Sequence, residues 1–362
     1  MVSENQVIEA LKRVKDPELD RDLVSLGMIR DVQVSDSSVS FTVVLTTPAC
    51  PLRAQIREAA RRAVAGLAGV RRVDVRLDSK VTAQPGSRTA ELLPGVKNVI
   101  AVASGKGGVG KSTIAVNLAA ALSESGAQVG LLDADIYGPS LPRLMGVNDR
   151  PRAENGRIIP LEKGGIKLMS LGFMLPEDAA VIWRGPLVAG AVRQMISDVD
   201  WGDLDYLVVD LPPGTGDAQL TLAQTVPLTG VVIVTTSQDM ALSIATKAAQ
   251  MFRKMSVPVL GIIENMSYFI CPYCEGRTEI FSHGGGERAA EQLDIPMLGQ
   301  IPLEPQTVLD SDRGIPTVIA RPESAQAEAL REAARRVAGR ASVVSHTEAA
   351  ASGGESRHER SR

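Results

Sequence analysis

The sequence predicts an α/β protein with a mainly parallel sheet wrapped by helices, preceded by a small α+β domain. Three observations carry this. From about residue 97 short apolar runs recur without polar alternation, among them "NVIAVAS", "YLVVDLP" and "GVVIVTT". Strands of that composition are buried on both faces. Helical stretches lie between most of them, as the crossovers of a parallel sheet require. Before residue 80 the order is instead helix, two alternating strands, helix, strand.

The elements follow in order. In residues 1–80, Val7, Ile8, Leu11 and Val14 recur with helical spacing. "IRDVQVS" and "SVSFTVVLTT" alternate as strands, "PLRAQIREAARRAVAGL" reads as a helix, and "VRRVDVRL" closes the domain as a strand. "TAQPGSRTAELLPGVK" is rich in turn formers and has little periodicity, which makes residues 81–96 a linker. Residues 97–340 form the second domain, with "QVGLLDAD", "VLGIIEN" and "PMLGQIP" as further strands and "PESAQAEALREAARRVAGR" as the last helix. Residues 341–362 have too little apolar surface to fold alone and are expected to be a disordered tail.

The bulk numbers exclude several classes. The 362 residues carry 39 Lys and Arg against 42 Asp and Glu, a net charge of −3, so bulk charge does not draw the chain to nucleic acid. No apolar run approaches the ~20 residues that span a bilayer. "MVSENQVIEALKRV" lacks the layout of a secretory signal. Three cysteines make a poor disulfide framework and suit metal or redox work in a reducing compartment, so a cytoplasmic protein is expected.

The nonapeptide "GKGGVGKST" stands between an apolar strand and a helical pattern, the context of a P-loop. Its residues are Gly105, Lys106, Gly107, Gly108, Val109, Gly110, Lys111, Ser112 and Thr113. Glycines let backbone N–H groups turn toward phosphate oxygens, and the helix N-terminus adds partial positive charge. Lys111 is placed to reach the β- and γ-phosphates, Ser112 to ligate Mg²⁺, and Thr113 to lie on the α-phosphate side. Asp133 and Asp135 end one strand, in "GLLDADIYGPS". Asp210 ends another, in "YLVVDLPPGTGD", as a carboxylate suited to Mg²⁺ contact. Either of the first two also suits the N-cap of the helix that follows.

Cys271 and Cys274 form a CxxC pair in "YFICPYCEGRTEIF". A closed metal site usually takes four ligands, and the chain has no second CxxC. Of three histidines, two fall near the end, leaving His283 as the nearby helper. This stoichiometry favours a site shared by two subunits. On spacing alone, a glutaredoxin-like dithiol, a zinc site and an iron–sulfur cluster all remain open. Cys50, in "LTTPACPL", stands where a strand gives way to a helix; the helix dipole would lower its pKa and make it a candidate accessory thiol, with a buried packing cysteine as the alternative.

"GKGGVGKST" resembles the deviant Walker A motif of the family containing MinD, ParA, the nitrogenase iron protein and the Mrp/ApbC proteins. That resemblance implies that Lys106 reaches across a homodimer interface to the partner's nucleotide. It also implies that Asp135 orients the attacking water, that Asp133 lies near Mg²⁺, and that Asp210 is the Walker B carboxylate. In the same way Asn265 would read the adenine edge, and "PPGTGD" would sense the γ-phosphate through Gly214 or Gly216. "DADIYGPS", "DLPPGTGD" and "CPYC" in this order are similar to the Mrp/ApbC branch, and "DPELDRDLVSLGMI" with "TTPACP" is similar to a small domain of iron–sulfur assembly proteins. The implied activity is an ATP hydrolase that carries a 4Fe–4S cluster, bridged between two subunits by Cys271 and Cys274, to client apoproteins. ATP and Mg²⁺ would be the cofactors and an assembly scaffold the donor. The rival is a MinD/ParA-like positioning ATPase with a structural zinc at the CxxC. It would act on a membrane or DNA through the last helix, where Arg331, Arg335, Arg336 and Arg340 accompany few large apolar residues.

Overall fold

The computed structural model of the chain describes residues 2–83, 89, 92–174, 185–282 and 284–358, with side chains left out at 185–186, 217–218 and 348–358. It divides into two units, Met1–Thr82 and Ala83–Arg362.

In the first unit, Ser3 and Gln6 form a reciprocal capping box that starts α1 (Glu4–Leu11). A short ribbon, β1 (Lys15–Asp16) with β2 (Arg21–Asp22), leads to the hairpin of β3 (Ile29–Ser35) and β4 (Ser38–Leu45). Helix α2 (Arg53–Ala65) then crosses over to β5 (Arg72–Ser79), which pairs parallel to β4. The helical spacing read from the sequence places Val7, Leu11 and Val14 in one core with Phe41, Val43, Ile56 and Val64.

The second unit is built on β6 (Val96–Ser104), followed by α3 (Lys111–Glu124), β7 (Val129–Asp133) and α4 (Leu141–Met145). The hairpin β8 (Arg152–Glu154) and β9 (Arg157–Ile159) precedes β10 (Leu161–Lys163) and β11 (Ile166–Ser170). After α5 (Gly185–Ser197) come β12 (Leu204–Asp210), α6 (Asp217–Thr225), β13 (Gly230–Thr235), α7 (Asp239–Lys254) and β14 (Val259–Glu264). A small ribbon, β15 (Phe269–Ile270) with β16 (Arg277–Thr278), separates β14 from α8 (Gly285–Leu293) and β17 (Met297–Gln300). Helices α9 (Gln306–Asp312), α10 (Thr317–Ala320) and α11 (Ala325–His358) complete the chain.

The eight-stranded sheet has the order β10-β11-β7-β12-β6-β13-β14-β17, and only the edge strand β10 runs antiparallel. Val99, Leu132, Val209 and Ile233 join Val192, Leu222, Ala245 and Phe252 of α5, α6 and α7 in one core. Helix α11 packs on α3, β14 and β17. Because the inner strands are parallel, their C-terminal ends all open at one rim, where the connecting loops gather.

Two expectations change. The linker is anchored at its far end: Leu93 is buried and β6 already begins at Val96. Of the tail expected over residues 341–362, residues 341–358 continue α11 instead, and residues 359–362 lie outside the described residues. Ala341, Ser342 and Ser345 are buried, and Ser345 Oγ lies 3.0 Å from Asn98 Oδ1 on β6. Small side chains let the helix approach the sheet closely, which a composition argument about large apolar groups misses.

Candidate nucleotide and metal sites

The loop between β6 and α3 takes a shape that only glycine adopts easily. Gly108 and Gly110 have φ of 79° and 82°, in the left-handed region. The N–H groups of Lys106 through Gly110 donate to no protein acceptor among the described residues. A Cβ added at Gly107 or Gly108 would meet nothing within 4 Å. Free donors around open space at a helix N-terminus suit an anion. Behind the loop, Asn265 Nδ2 donates to Val109 O at 2.9 Å, so the amide expected to read a base supports the loop from below.

Lys111, buried, points into a group of carboxylates. Its Nζ is 2.5 Å from Asp210 Oδ1, 3.2 Å from Ser112 Oγ and 3.9 Å from Asp135 Oδ2. Burial raises the pKa of Asp210 and of Asp135, with Lys111 opposing the shift in both. Asp133 is pushed up to about 7 by burial and by the nearby Asp210. Both of its oxygens are engaged: Oδ1 accepts from Asp135 N, and Oδ2 from Ser140 N, Leu141 N and Ser170 Oγ, all at 3.0–3.1 Å. Asp133 thus braces the turn that presents Asp135. Ser112 and Asp210 offer oxygen donors that fit a hard cation such as Mg²⁺, with Asp135 also near Lys111 Nζ.

Two neighbouring loops complete the rim. Gly214 N donates to Ser104 O at 2.9 Å, so of the two glycines expected to sense a phosphate, Gly214 has its N–H engaged within the chain. The segment after Ile301 is tied down where Glu304 accepts from Gln326 N and pairs with Arg321. Lys106, the second lysine of the loop, donates from Nζ to Gln238 Oε1 at 3.2 Å. Neither Gln238 nor Ser170 was expected from the sequence, because each meets its partner only through the folded sheet.

Cys271 and Cys274 lie in the turn between β15 and β16. The turn is closed by Cys271 N donating to Gly276 O at 3.0 Å and Glu275 N donating to Cys271 O at 2.9 Å. Backbone N–H groups of Tyr273 and Cys274, then the Cys274 side chain, lower the Cys271 pKa. Tyr273, between the two cysteines, is almost wholly exposed. Among the described residues no group of three or more His, Cys, Asp or Glu could hold a metal ion. His283, the expected helper, lies outside the described residues.

Of the two readings the sequence leaves open for Cys50, the structure favours the buried packing cysteine. It is buried in the core of the first unit, and burial pushes its thiol up to about 11. Desolvation outweighs the backbone hydrogen bond from Leu52, so the group is a neutral thiol at physiological pH. The last helix is likewise settled by its contacts. Arg331 pairs with Glu124 at 2.9 Å and donates to Pro322 O and Val318 O, while Arg335 and Arg336 pair with Glu332. Among the described residues no helix is long and apolar enough to cross a membrane.

Residues 95–338 match the family model described as NUBPL iron-transfer P-loop NTPase. The chain belongs to that family. Ahead of this iron-transfer NTPase domain, residues 4–75 match the iron–sulfur cluster assembly protein family. An iron-sulfur cluster carrier protein of Synechocystis is 49% identical over 95% of the chain and 99% of its own length. Proteins of the same name from Deinococcus radiodurans and Escherichia coli K12 are 50% and 43% identical, covering 93% and 92% of the chain and 95% and 90% of theirs. Among solved structures, a nucleotide-binding protein in complex with ADP from Archaeoglobus fulgidus is 41% identical with a TM-score of 0.56, covering 62% of this chain and 89% of that one. The cell division ATPase MinD of Pyrococcus furiosus, 22% identical with a TM-score of 0.51 over 66% of this chain and 98% of that one, shares the fold. The iron-transfer NTPase is therefore a nucleotide-binding protein on a MinD-like sheet.

Proposed function

We propose that this chain is a cytoplasmic ATP hydrolase that holds a 4Fe–4S cluster between two copies of itself and passes it to apoproteins. The observation that carries the reading is the turn at Cys271 and Cys274: two accessible thiols, one with a lowered pKa, and half the ligands a closed site needs. A second copy supplies the other half. The names of the relatives support iron–sulfur cargo over the structural zinc of the positioning reading. Arg331, Arg335 and Arg336 of α11 are paired with carboxylates of the same fold, which supports the carrier over the positioning reading.

The residues of the nucleotide site take these roles in the proposal. The free N–H groups of the loop and Lys111 hold the phosphates; Ser112 with Asp210 would hold Mg²⁺, which would supply positive charge beside the phosphoryl group. Asp135 orients the attacking water, Asp133 fixes the turn that presents Asp135, and Lys106 reaches the partner's nucleotide. A scaffold protein loads the cluster and client apoproteins receive it.

The test is anaerobic reconstitution with iron and sulfide, followed by sedimentation and transfer to a model apo-ferredoxin with and without ATP. The reading expects brown protein with one cluster per two chains and ATP-dependent transfer. Colourless protein that retains zinc, or single chains each with a complete cluster, would overturn it.

A further inference from the structure

The second lysine of the loop has a partner on its own chain, and the surrounding geometry explains why. A Cβ at Gly105 would lie 2.6 Å from Ile244 Cγ2 and 2.9 Å from Ala245 N, so the end of β6 is pressed against α7. Lys106 therefore emerges beside the start of that helix, where Gln238 is the N-cap. Gln238 makes no side-chain capping bond, and its amide oxygen is turned to Lys106 Nζ. Ser104 Oγ donates to Lys106 O at 2.9 Å and ties the backbone in place. With the backbone tied, the side chain of Lys106 is the part that must move if it is to leave its own chain.

We propose that Gln238 is a latch: it holds Lys106 on its own chain and so sets how readily two copies join over nucleotide. This rests on the reading of Lys106 as a residue that acts across a dimer. Each copy must release one lysine–amide hydrogen bond before the ammonium turns outward, and that release opposes association. Gln238 is a positioning residue in this scheme; it acts through Lys106 alone.

Two variants separate the latch from a merely structural part, measured as ATP hydrolysis per chain against protein concentration and as ATP-dependent association by sedimentation. Gln238→Ala frees the lysine and should lower the half-maximal concentration about fivefold. Gln238→Glu replaces the amide with a carboxylate that holds the ammonium more tightly and should raise it about threefold, an increase that shrinks as salt rises. Shifts in the same direction, no shift, or a loss of nucleotide affinity in dilute single chains for both variants would overturn the latch. Wild-type hydrolysis per chain that is independent of concentration would overturn the dimer reading itself. Concentration dependence with unmoved variants would sink the latch alone.

Discussion

Lys111 Nζ stands 2.5 Å from Asp210 Oδ1, with both groups buried at the foot of the glycine loop between β6 and α3. Without nucleotide the lysine neutralises a carboxylate whose burial would otherwise favour the protonated form. Lys111→Ala should therefore do two things. Hydrolysis should fall by about a hundredfold or more, and the nucleotide-free protein should lose about 3 kcal/mol because a buried carboxylate is left unpaired. The loss should be largest at neutral pH and shrink as pH falls, because protonation removes the unpaired charge. Denaturant unfolding across pH 5–8 (a range of about the usual stability maximum) checks the sign.

Gly107 and Gly110 make a contrasting pair. A Cβ at Gly107 meets only open space, whereas one at Gly110 would lie 2.2 Å from Asn265 Nδ2 at a φ of 82°. Gly107→Ala should fold with wild-type stability yet bind ATP more weakly, because the methyl group enters the phosphate space. Gly110→Ala should lose both affinity and about 2 kcal/mol of stability. Isothermal titration beside thermal unfolding separates the two outcomes.

The three thiols should react in a fixed order. Iodoacetamide at pH 8 should label Cys271 first, while Cys50, with its pKa near about 11, stays protected until the domain unfolds. An unfolded cysteine ionises at about 8.5. Between that pH and 11 the native state holds more protons, so Cys50 makes stability fall as pH rises, and Cys50→Ala should flatten that fall. Mass spectrometry of labelled peptides reads the first outcome and alkaline unfolding curves the second.

Truncation after Arg340 should destabilise the second unit. It removes the buried Ala341, Ser342 and Ser345 and takes the Ser345 hydroxyl away from Asn98 Oδ1. The expected cost is about 1–3 kcal/mol, read as a lower thermal midpoint. A midpoint equal to that of the full chain would return these residues to the status of a tail.

The sheet was legible wherever its strands are unbroken apolar runs, as in β6, β12 and β13. Strand β11 escaped notice because Lys167 interrupts "IKLMS"; its ammonium reaches Trp201 O at 2.7 Å, a contact invisible to a hydropathy pattern. The phosphate loop was legible because its chemistry is local, nine residues between one strand and one helix. The supports of the site were not. Gln238 lies 132 positions from Lys106 and Ser170 lies 37 from Asp133, so only the register of the sheet brings them together. Cys50 stayed open between two readings because a helix terminus can be seen in sequence, whereas the depth at which a thiol is buried cannot.

The ribbon of β15 and β16 pairs two residues with two and stands outside the large sheet. Its cysteines take no part in the apolar interior of either unit. On the proposed reading, loss of a cluster held there should leave that interior untouched, unlike small metal-dependent folds in which loss of the ion melts the polypeptide. A molecule that must be filled and emptied repeatedly needs this independence, because it has to survive each empty interval intact.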